Sequence, residues 1–497
     1  MFWDIVSNIF SVSSLLMMCI GVLAGIIIGA LPGLNTVFAI AVLLPFTFGM
    51  SSTAGMYLLL GAFCGGLFGG SISAILINTP GTPAACMTTL DGYPLAQKGL
   101  AGNALRCAVI ASGFGGIFSS FVLIFLAPTI ARASMNFASP EFFALCVFGL
   151  STVISIAGNQ VLKGIIMVSI GLLISSVGID ITDGTRRFMF SSMNLMAGIS
   201  PIVVMLGVYA FSEVLTKCVK RSSLFTKIET TVEFHKTTIR IRDILKYWKT
   251  LLKSSVIGAV IGAIPGTGGV IAATLSYNEA KRASKTPEEF GQGSYEGVIA
   301  SECGNNAVSG GTLIPALTLG IPGDATVAIL LGALTMQGIT PGMALFTEDK
   351  TWVYAIMIGL LVINIIMILQ GVLFTNFFAS VAKVPEVIQL PCIVVLCVVG
   401  SFAISGAHFN ILLMIVFGIL AYILKKLDFP LTPLIISLVL GQMMEANLRR
   451  SLQLSGGSYA IFFTRPVSCT IMVIALLILF SPVIKKLVQK IKARKTK

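Results

Sequence analysis

The sequence predicts an all-α polytopic membrane protein of about 10–13 transmembrane segments, including broken or re-entrant helices, in two inverted-topology repeats. The first observation behind this fold class is composition: 56% of the 497 residues are hydrophobic and 11% are charged, whereas soluble domains carry about 25% charged residues. The second is a series of long apolar stretches, and the third is a pair of matching segments in the two halves of the chain. Together these observations exclude a water-soluble globular protein.

The apolar stretches follow one another along the chain, and each falls within or above the range of about 17–25 residues that a transmembrane helix needs. They cover residues 11–30, 54–77, 104–130, 140–158, 196–216, 353–380, 388–424 and 467–484. Shorter or interrupted apolar segments supply the remaining predicted crossings.

The basic residues lie mainly in two places. No Lys or Arg occurs before Lys98, whereas both are frequent in residues 217–253 and 485–497. Such clusters beside apolar spans are typical of cytoplasmic segments. We therefore predict a first transmembrane repeat (1–216), a basic cytoplasmic loop (217–253), a second transmembrane repeat (254–484) and a basic cytoplasmic tail (485–497). The stretch from Thr238 to Lys253, at the end of the loop, has the pattern of an interfacial amphipathic helix.

Two short segments recur in the same order in both halves. Ile28-Gly-Ala-Leu-Pro-Gly33 is repeated as Ile261-Gly-Ala-Ile-Pro-Gly266. The stretch from Gly69 to Thr82 corresponds, with one inserted residue, to the stretch from Gly310 to Asp324. Each half therefore contains two Pro-Gly breaks within apolar sequence, which predicts an internal repeat.

These breaks predict a binding site. A proline removes a backbone hydrogen bond, and an unpaired carbonyl is costly in hydrocarbon. Paired broken helices indicate the midplane site of a secondary transporter, where half-helix N-termini face an anionic substrate and freed carbonyls bind a cation. The alternative is a set of ordinary kinks packed against neighbours. The predicted substrate-binding residues are those of the four breaks: Pro32, Gly33, Asn35, Thr36, Asn78, Thr79, Pro80, Gly81, Thr82, Pro265, Gly266, Thr267, Pro322, Gly323 and Asp324.

The third break also suggests a path for the chain. Basic residues flank it on both sides, at Lys253 and at Lys281 and Arg282, and each arm is too short to cross a membrane. This pattern predicts a re-entrant hairpin with its tip at Pro265. An inverted repeat would place the hairpin around Pro32 on the opposite side, although its longer arms leave a broken spanning helix open.

Polar residues near the breaks are candidate cation ligands: Asp91, Glu302, Asn305 and Asn306. Ionisable groups within a membrane are costly and usually face a cavity or a partner. Carboxylate and amide oxygens suit a hard cation such as sodium, while neutral amides and hydroxyls equally suit a substrate carboxylate. For Asp91 a structural role is the alternative, because Asp-Gly-Tyr-Pro is also turn chemistry.

Several enzyme classes are disfavoured. The two histidines, His235 and His408, form no HExxH motif, and no GxxxxGK[ST] phosphate loop occurs. We therefore predict neither an enzyme nor a transition-metal site, and no cofactor apart from a coupling Na+ or H+.

An ordered series of motifs resembles the large membrane subunit of the tripartite tricarboxylate transporters, TctA, over nearly the whole chain. It includes Leu31-Pro-Gly-Leu34, Leu44-Pro-Phe-Thr-Phe48, Asn78-Thr-Pro-Gly-Thr-Pro83, Asp91-Gly-Tyr-Pro94, Pro140-Glu-Phe-Phe143, Asn305-Asn-Ala307 and Leu319-Gly-Ile-Pro-Gly323. Asp324 stands where that family usually has a small serine, and Ser301-Glu-Cys-Gly304 departs from its usual Pro-Glu and alanines.

The resemblance implies the permease of a three-part importer in the bacterial inner membrane. Its partners would be a periplasmic solute-binding protein, a small four-helix membrane subunit and membrane lipids. The resemblance implies no nucleic-acid partner, and it leaves open whether the chain forms a homodimer. Its substrates would be citrate or other tri- and dicarboxylates, imported by sodium or proton symport. The competing class is a non-coupled channel or scaffold subunit of a transport complex.

Overall fold

The structure, a computed structural model, describes residues 2–156, 160–180, 183–219, 239–382 and 384–495. Within these ranges the chain forms 23 α-helices and one short two-stranded β-ribbon. Six of the described helices are long and apolar enough to cross a membrane, and six shorter apolar helices accompany them. The predicted all-α polytopic architecture is therefore confirmed.

The first half is built around two interruptions of its helices. It comprises α1 (Phe2–Phe10), α2 (Val12–Ala30), α3 (Thr36–Leu43), α4 (Ser52–Ile77), α5 (Cys86–Gln97) and α6 (Ala101–Ala133), with 3₁₀ turns at Leu44–Thr47, Pro83–Ala85 and Ser134–Asn136. α2 ends before Pro32, which cannot donate a backbone hydrogen bond. Gly33 then adopts a φ of +80°, a backbone conformation that favours glycine.

The middle of the chain adds a further group of helices. It comprises α7 (Ser139–Ile156), α8 (Val161–Ser175), β1 (Gly178–Ile179), β2 (Arg186–Arg187), a 3₁₀ turn at Met193–Leu195, α9 (Pro201–Met205), a π-helical segment at Leu206–Phe211, α10 (Ser212–Val219) and α11 (Ile241–Leu245). α9, the π-helical segment and α10 form one continuous span, Pro201–Val219.

The second half repeats the element order of the first and then continues. It comprises α12 (Trp248–Ala263), α13 (Gly268–Ala283), a 3₁₀ turn at Pro287–Glu289, α14 (Tyr295–Leu319), α15 (Ala325–Met336), α16 (Met343–Thr347) and α17 (Lys350–Leu373). The remaining helices are α18 (Thr375–Val381), α19 (Glu386–Ala403), α20 (His408–Lys426), α21 (Thr432–Leu454), α22 (Ile461–Thr464) and α23 (Pro466–Lys495).

The two halves pack in a matching way. α2 packs on α4 and α12 packs on α14, while α6 packs on α14 and its counterpart α17 packs on α4. α3 contacts α15, and α13 contacts the turn Pro83–Ala85 that precedes α5. α4 and α14 are buried along nearly their whole lengths, so they form the centre of the bundle. The contacts support an internal repeat, whereas its inversion relative to the membrane stays a prediction.

Small residues allow the helices of each half to approach closely. A methyl group at Gly25 of α2 would lie 2.5 Å from the carbonyl oxygen of Ala62 in α4. In the second half, a methyl group at Gly311 of α14 would lie 2.5 Å from the carbonyl oxygen of Ala259 in α12. Glycine at these positions therefore brings the two backbones together, as is common in membrane bundles.

The predicted hairpin at the third break is present. α12 and α13 pack against each other on either side of Pro265. The Nζ of Lys253 in α12 lies 3.5 Å from the Oε1 of Glu279 in α13, so the two arms return to the same face of the molecule. In the first half α2 has 19 residues and is long enough to cross, which favours the alternative of a broken spanning helix there.

Two predicted boundaries were wrong. The apolar stretch 388–424 is not one segment but two helices, α19 and α20, which are separated at Gly406 with its φ of +68°. The stretch 196–216 becomes helical only at Pro201. Hydropathy alone also missed α14 as a long apolar stretch, because its centre carries Glu302, Asn305 and Asn306.

The predicted basic loop is described only at its ends, since residues 220–238 lie outside the described ranges. α10 reaches Val219 and α12 begins at Trp248, so helices of the bundle enter segment 217–253 from both sides. The segment predicted as an interfacial helix contains the five-residue α11 and the start of α12. At the other end, α23 continues as a helix into the basic tail as far as Lys495.

The short ribbon is fixed to α21 by charged side chains. Asp180, directly after β1, forms an ion pair with Arg449, whose Nη2 lies 2.8 Å from the Asp180 Oδ2, and Arg187 of β2 contacts Glu445 at 2.7 Å. Arg449 also reaches Asp183, whose pKa is lowered to about 2, chiefly by hydrogen bonds from the hydroxyl and backbone N–H of Thr185. These contacts form a network rather than an isolated surface pair.

Candidate functional site

The two breaks of the second half contact each other directly. The backbone N–H of Gly266 donates to the carbonyl oxygen of Gly323 at 2.6 Å. Gly323 also packs closely on α14, since a methyl group there would lie 2.8 Å from the Thr312 Cβ. The Thr267 hydroxyl donates to the Ile261 carbonyl at 2.5 Å and thereby pairs a group at the end of α12. The breaks at Pro265 and Pro322 therefore belong to one site.

The two breaks of the first half are joined in a similar way. The N–H of Gly81 donates to the carbonyl oxygen of Gly70 at 3.0 Å. Gly81 also packs so closely on the Gly29 carbonyl at the end of α2 that no side chain would fit between them. Thr36, after the first break, lies against α4 at Gly66, where a methyl group would come within 3.0 Å of its Cγ2. The breaks at Pro32 and Pro80 thus meet at α4.

Two of the helices that follow a break have matching N-caps. Asn35 Oδ1 accepts from the N–H of Phe38 at 2.9 Å at the start of α3. Asp324 Oδ1 accepts from the N–H of Val327 at 2.9 Å at the start of α15. The capped helices contact each other. Asp324 therefore serves as an N-cap, a position at which serine and aspartate are both favoured.

The halves meet at Asn305. A methyl group at Gly269, in the first turn of α13, would lie 2.5 Å from Asn305 Oδ1 and 3.1 Å from the Ala84 Cβ. Ala84 follows the second break, so segments next to breaks of both halves lie close together at Gly269, which also packs on Asn305 of α14. The Asn305 Nδ2 also makes a long contact of 3.5 Å with the Leu67 carbonyl of α4.

Three oxygens of α14 and of the second break are buried without a hydrogen-bond partner among the described residues. They are Thr82 Oγ1, Asn305 Oδ1 and Asn306 Oδ1. Asn305 and Asn306 are 0% and 1% exposed, and a buried unpaired polar group costs about 1–3 kcal/mol. Oxygens with free lone pairs in a dry interior are suitable ligands for a hard cation or acceptors for a protonated ligand. These atoms are the strongest indication that something binds here.

Glu302 lies one turn before Asn305 and Asn306 in α14, and it is 0% exposed. Its Oε1 accepts from the Ser71 hydroxyl at 2.5 Å and from the Thr88 hydroxyl, while its Oε2 accepts from the Ser112 hydroxyl at 3.0 Å. Asn306 Nδ2 donates to the same Ser112 oxygen at 2.8 Å. The cluster therefore links α4, α5, α6 and α14 around one carboxyl group.

The Glu302 cluster contains no compensating positive charge. None of the ion pairs among the described residues includes Glu302. A buried ionised carboxylate is costly unless a cation is nearby, so such a group tends to bind a cation or a proton. Hydroxyl partners can accept as well as donate, and they therefore accommodate either form of the carboxyl group.

Asp91 is also buried, but its contacts favour a structural role. Its Oδ1 accepts from the backbone N–H groups of Gly291, Gly293 and Ser294 at 2.8–2.9 Å, and its Oδ2 accepts from the Tyr277 hydroxyl at 2.8 Å. These four donors compensate the carboxylate without a cation. The residue fixes the segment before α14 rather than facing the unpaired oxygens.

The predicted residues do not all come together. Asn78 and Thr79 end α4 and are exposed, with Asn78 in the left-handed region at a φ of 54°. Asn78 and Thr79 therefore form the turn of the second break, whereas the buried oxygen of this break belongs to the Thr82 hydroxyl. The residues that sequence reasoning missed are the hydroxyl donors Ser71, Thr88 and Ser112. Ser71 lies within the repeated segment, but an isolated serine in an apolar helix gives no signal of its contacts.

A cleft of about 630 Å³ lies beside Gly320, the residue that caps the C-terminal end of α14 before the fourth break. Gly320, Thr335, Pro341 and Arg450 line it together with residues of α8 and α21. Arg450 gives this cleft a positive charge.

Two repeated halves whose broken helices meet around buried polar side chains are the architecture of secondary membrane transporters. The chain belongs to the tripartite tricarboxylate transporter TctA family, whose model matches residues 15–436. The resemblance seen in the sequence motifs is thereby confirmed, and membership of this transporter family distinguishes the chain from an enzyme.

Two relatives come from Agrobacterium vitis. An uncharacterised 52.8 kDa protein encoded in the region 3′ of ttuC′ in TAR-I is 34% identical over 457 residues, covering 92% of this chain and 90% of that protein. An uncharacterised protein from the corresponding region of TAR-II is 34% identical over 215 residues, covering 43% of this chain and 89% of that protein. No solved structure matches the chain.

Proposed function

We propose that the chain is the permease subunit of a binding-protein-dependent importer, which carries a tricarboxylate such as citrate, or a dicarboxylate, by cation symport. The observation that carries the proposal is the approach of the third break to both Ala84 and Asn305 at Gly269, together with buried oxygens on α14 and the second break that have no partner among the described residues. Membership of the TctA family supports the tripartite arrangement. The proposed partners are a periplasmic solute-binding protein and a small four-helix membrane subunit in the bacterial inner membrane.

The substrate and the cation would occupy neighbouring parts of the junction. Thr82, Asn305 and Asn306 offer oxygens to the cation, and Glu302 supplies the negative charge next to them. The N-terminal ends of α3 and α15 and the backbone around Gly81 and Gly266 offer N–H groups to a substrate carboxylate. A bound cation would offset the repulsion between Glu302 and an anionic substrate, which gives a physical reason for coupling.

Alternating access would follow from movement of the hairpin of α12 and α13 against the rest of the bundle. Its tip contacts the first half at Ala84, while its outer face is exposed at Val256, Val260 and Val270. A segment that is packed on one side only can move with less disruption of the core.

Uptake into proteoliposomes tests this proposal. The vesicles contain the chain with its membrane subunit, the binding protein is added outside, and radiolabelled citrate and other carboxylates are supplied under separate sodium and proton gradients. We expect accumulation that collapses when one of the two gradients is removed. Uptake that only equilibrates, regardless of either gradient, would instead identify the competing class of non-coupled channel.

A matched pair of variants separates the site from general packing. Asn306→Ala removes a buried amide of the proposed cation site, whereas Asn364→Ala removes a similarly buried amide in α17 that donates to Ser120 and Leu360. We expect the first to abolish coupled uptake and the second to retain it at equal membrane expression. Equal losses in both variants would show that the effect is one of packing.

A further inference from the structure

A groove runs along the outer face of the hairpin of α12 and α13. It has a volume of about 780 Å³, and both arms of the hairpin line it. Its apolar part includes Leu252, Val256 and Val260 of α12 and Leu275 of α13, and these side chains are 41–57% exposed. In a membrane protein such an apolar surface is covered either by lipid or by another subunit.

The length of the groove matches one leaflet of a bilayer. The groove extends from Leu252, in the second turn of α12, to Ile261 near the hairpin tip. Nine residues of helix rise about 14 Å, and one leaflet supplies about 15 Å of the hydrocarbon core. The chain turns back at Pro265, so the groove stops where a membrane-spanning helix of another subunit would continue. This length therefore favours a lipid acyl chain.

Two residues at the start of α12 indicate the level of the membrane surface. Trp248 is 56% exposed, and the Nζ of Lys249 lies 5.7 Å from the centroid of its ring. Trp side chains are enriched at the boundary between hydrocarbon and water, and Lys side chains extend toward it. Lys253 follows one turn after Lys249. The polar end of the groove thus lies at the level of the lipid headgroups, and its apolar part extends into the hydrocarbon.

The polar end has one positive charge in excess, since the charged residues that line it are Lys253, Arg282 and Glu279. The Glu279 Oε1 lies 3.5 Å from the Lys253 Nζ, and its Oε2 lies 2.6 Å from the Arg282 Nη2. An ammonium group has three N–H donors and a guanidinium group has five. The Lys253 and Arg282 side chains are 55% and 80% exposed, so both can donate to a further anion. The acidic residues beyond α13, Glu288, Glu289 and Glu296, do not line the groove.

We propose that this groove binds an anionic phospholipid, whose phosphate contacts Lys253 and Arg282 and one of whose acyl chains lies along Val256 and Val260. The single negative charge of a phosphodiester headgroup matches the excess positive charge. The ion pairs with Glu279 are exposed and therefore weak, so the phosphate can share both cations. A bound lipid would contact both arms of the hairpin and would move with it.

Quenching of tryptophan fluorescence tests the site in the full-length chain. Trp248 serves as the reporter after Trp3 and Trp352, the other two tryptophans, are replaced by Phe. The protein is reconstituted in phosphatidylcholine vesicles, and either phosphatidylglycerol or phosphatidylcholine with brominated acyl chains is added in increasing fractions. We expect the relative binding constant of phosphatidylglycerol over phosphatidylcholine to be about five, because one excess charge is compensated. A value of one would overturn the site.

Charge variants separate this groove from general attraction to a basic surface. Lys253→Gln and Arg282→Gln should each lower the relative binding constant about fivefold, whereas Glu279→Gln should raise it. Such opposite shifts do not arise from a loss of folding. The control Lys281→Gln/Lys285→Gln removes two positive charges from the same arm outside the groove. An equal loss of preference in the control and in the groove variants would contradict the site.

A further variant tests the apolar part of the groove. Val260 is 57% exposed, so Val260→Phe can fill the groove without displacing the core. We expect weaker quenching of Trp248 by both brominated lipids, since the groove no longer accommodates an acyl chain. Unchanged quenching would show that the lipid does not lie there.

The alternative occupant is the small membrane subunit of the proposed complex. Reconstitution with that subunit should leave the preference for phosphatidylglycerol unchanged, whereas loss of quenching by both brominated lipids would show that the subunit covers the groove and would overturn the proposal. Quenching requires no transport. A chain that accumulates no carboxylate can therefore still confirm or refute the lipid site, and the two proposals fail independently.

Discussion

Removal of the Glu302 side chain should destabilise the centre of the bundle more than any change of its charge alone. In Glu302→Ala, the hydroxyls of Ser71, Thr88 and Ser112 lose the carboxyl oxygens that they contact in the native protein. All four residues are buried. The substitution therefore leaves a small void and removes the one partner that Ser71 has among the described residues. Thr88 keeps its contact with Ser301, and Ser112 still accepts from Asn306.

The size of the effect follows from these contacts. Each buried polar group left without a partner costs about 1–3 kcal/mol. This cost applies in full to Ser71, and the void adds to it, whereas Thr88 and Ser112 lose only one of their contacts. Hydroxyls that rotate toward helix carbonyls recover part of this. Glu302→Gln keeps the shape and a carbonyl oxygen, and its amide can donate to a reoriented hydroxyl. We expect its loss to stay within about 2 kcal/mol.

Thermal unfolding of the purified variants in detergent, monitored by loss of the monodisperse protein, measures the difference. Glu302→Ala should unfold at a clearly lower temperature than Glu302→Gln, while both should lose gradient-driven uptake. The buried Cys303 next in sequence provides a control, because Cys303→Ala removes a side chain of α14 that bonds to Ser255 and Leu251 instead. Equal melting temperatures for the Ala and Gln variants would refute the hydroxyl cluster as the source of stability.

Three further outcomes are expected. Asn305→Ala and Asn306→Ala should insert normally and lose uptake, and normal uptake at normal expression would make both simple packing residues. Asp324→Ser keeps an N-cap oxygen, so the free energy of unfolding should change by no more than about 1 kcal/mol. We expect the ion dependence or the substrate preference of uptake to shift, and unchanged transport would show that the charge has no role. Arg449→Gln should loosen the ribbon around Asp180, detectable as faster proteolysis between β1 and β2, and wild-type cleavage rates would contradict that role.

Composition and repeated motifs were sufficient to predict that the chain lies in a membrane and that it has two similar halves with broken helices. The chain has too few charged residues to cover a water-soluble surface, so most of it must lie in a membrane. Pro-Gly within apolar sequence interrupts a helix whatever the tertiary packing is. The correspondence of Ile28–Gly33 with Ile261–Gly266 likewise predicted two similar halves. Hydropathy did not predict α14, because this helix is buried although its centre contains polar residues. A hydropathy scale records the type of each residue and not the hydrogen bonds that compensate the burial of a polar side chain.

The roles of individual side chains depended on the tertiary structure. The sequence presents Asp91 and Glu302 as two comparable carboxylates within apolar surroundings. The fold gives Asp91 three backbone N–H groups and a tyrosine hydroxyl, which compensate its charge, whereas it gives Glu302 hydroxyls alone. These partners lie up to 231 positions away in the chain, so no local pattern could predict them.

The sequence by itself therefore determined where the helices break, since Pro and Gly act through the local backbone. Only the tertiary structure decided which breaks meet, which buried oxygens of α14 and of the second break lack a hydrogen-bond partner among the described residues, and that Lys217 of the basic segment turns inward to Pro32. The physical reason is that backbone conformation is a local property of the chain, whereas burial and electrostatic compensation arise only when distant segments pack together.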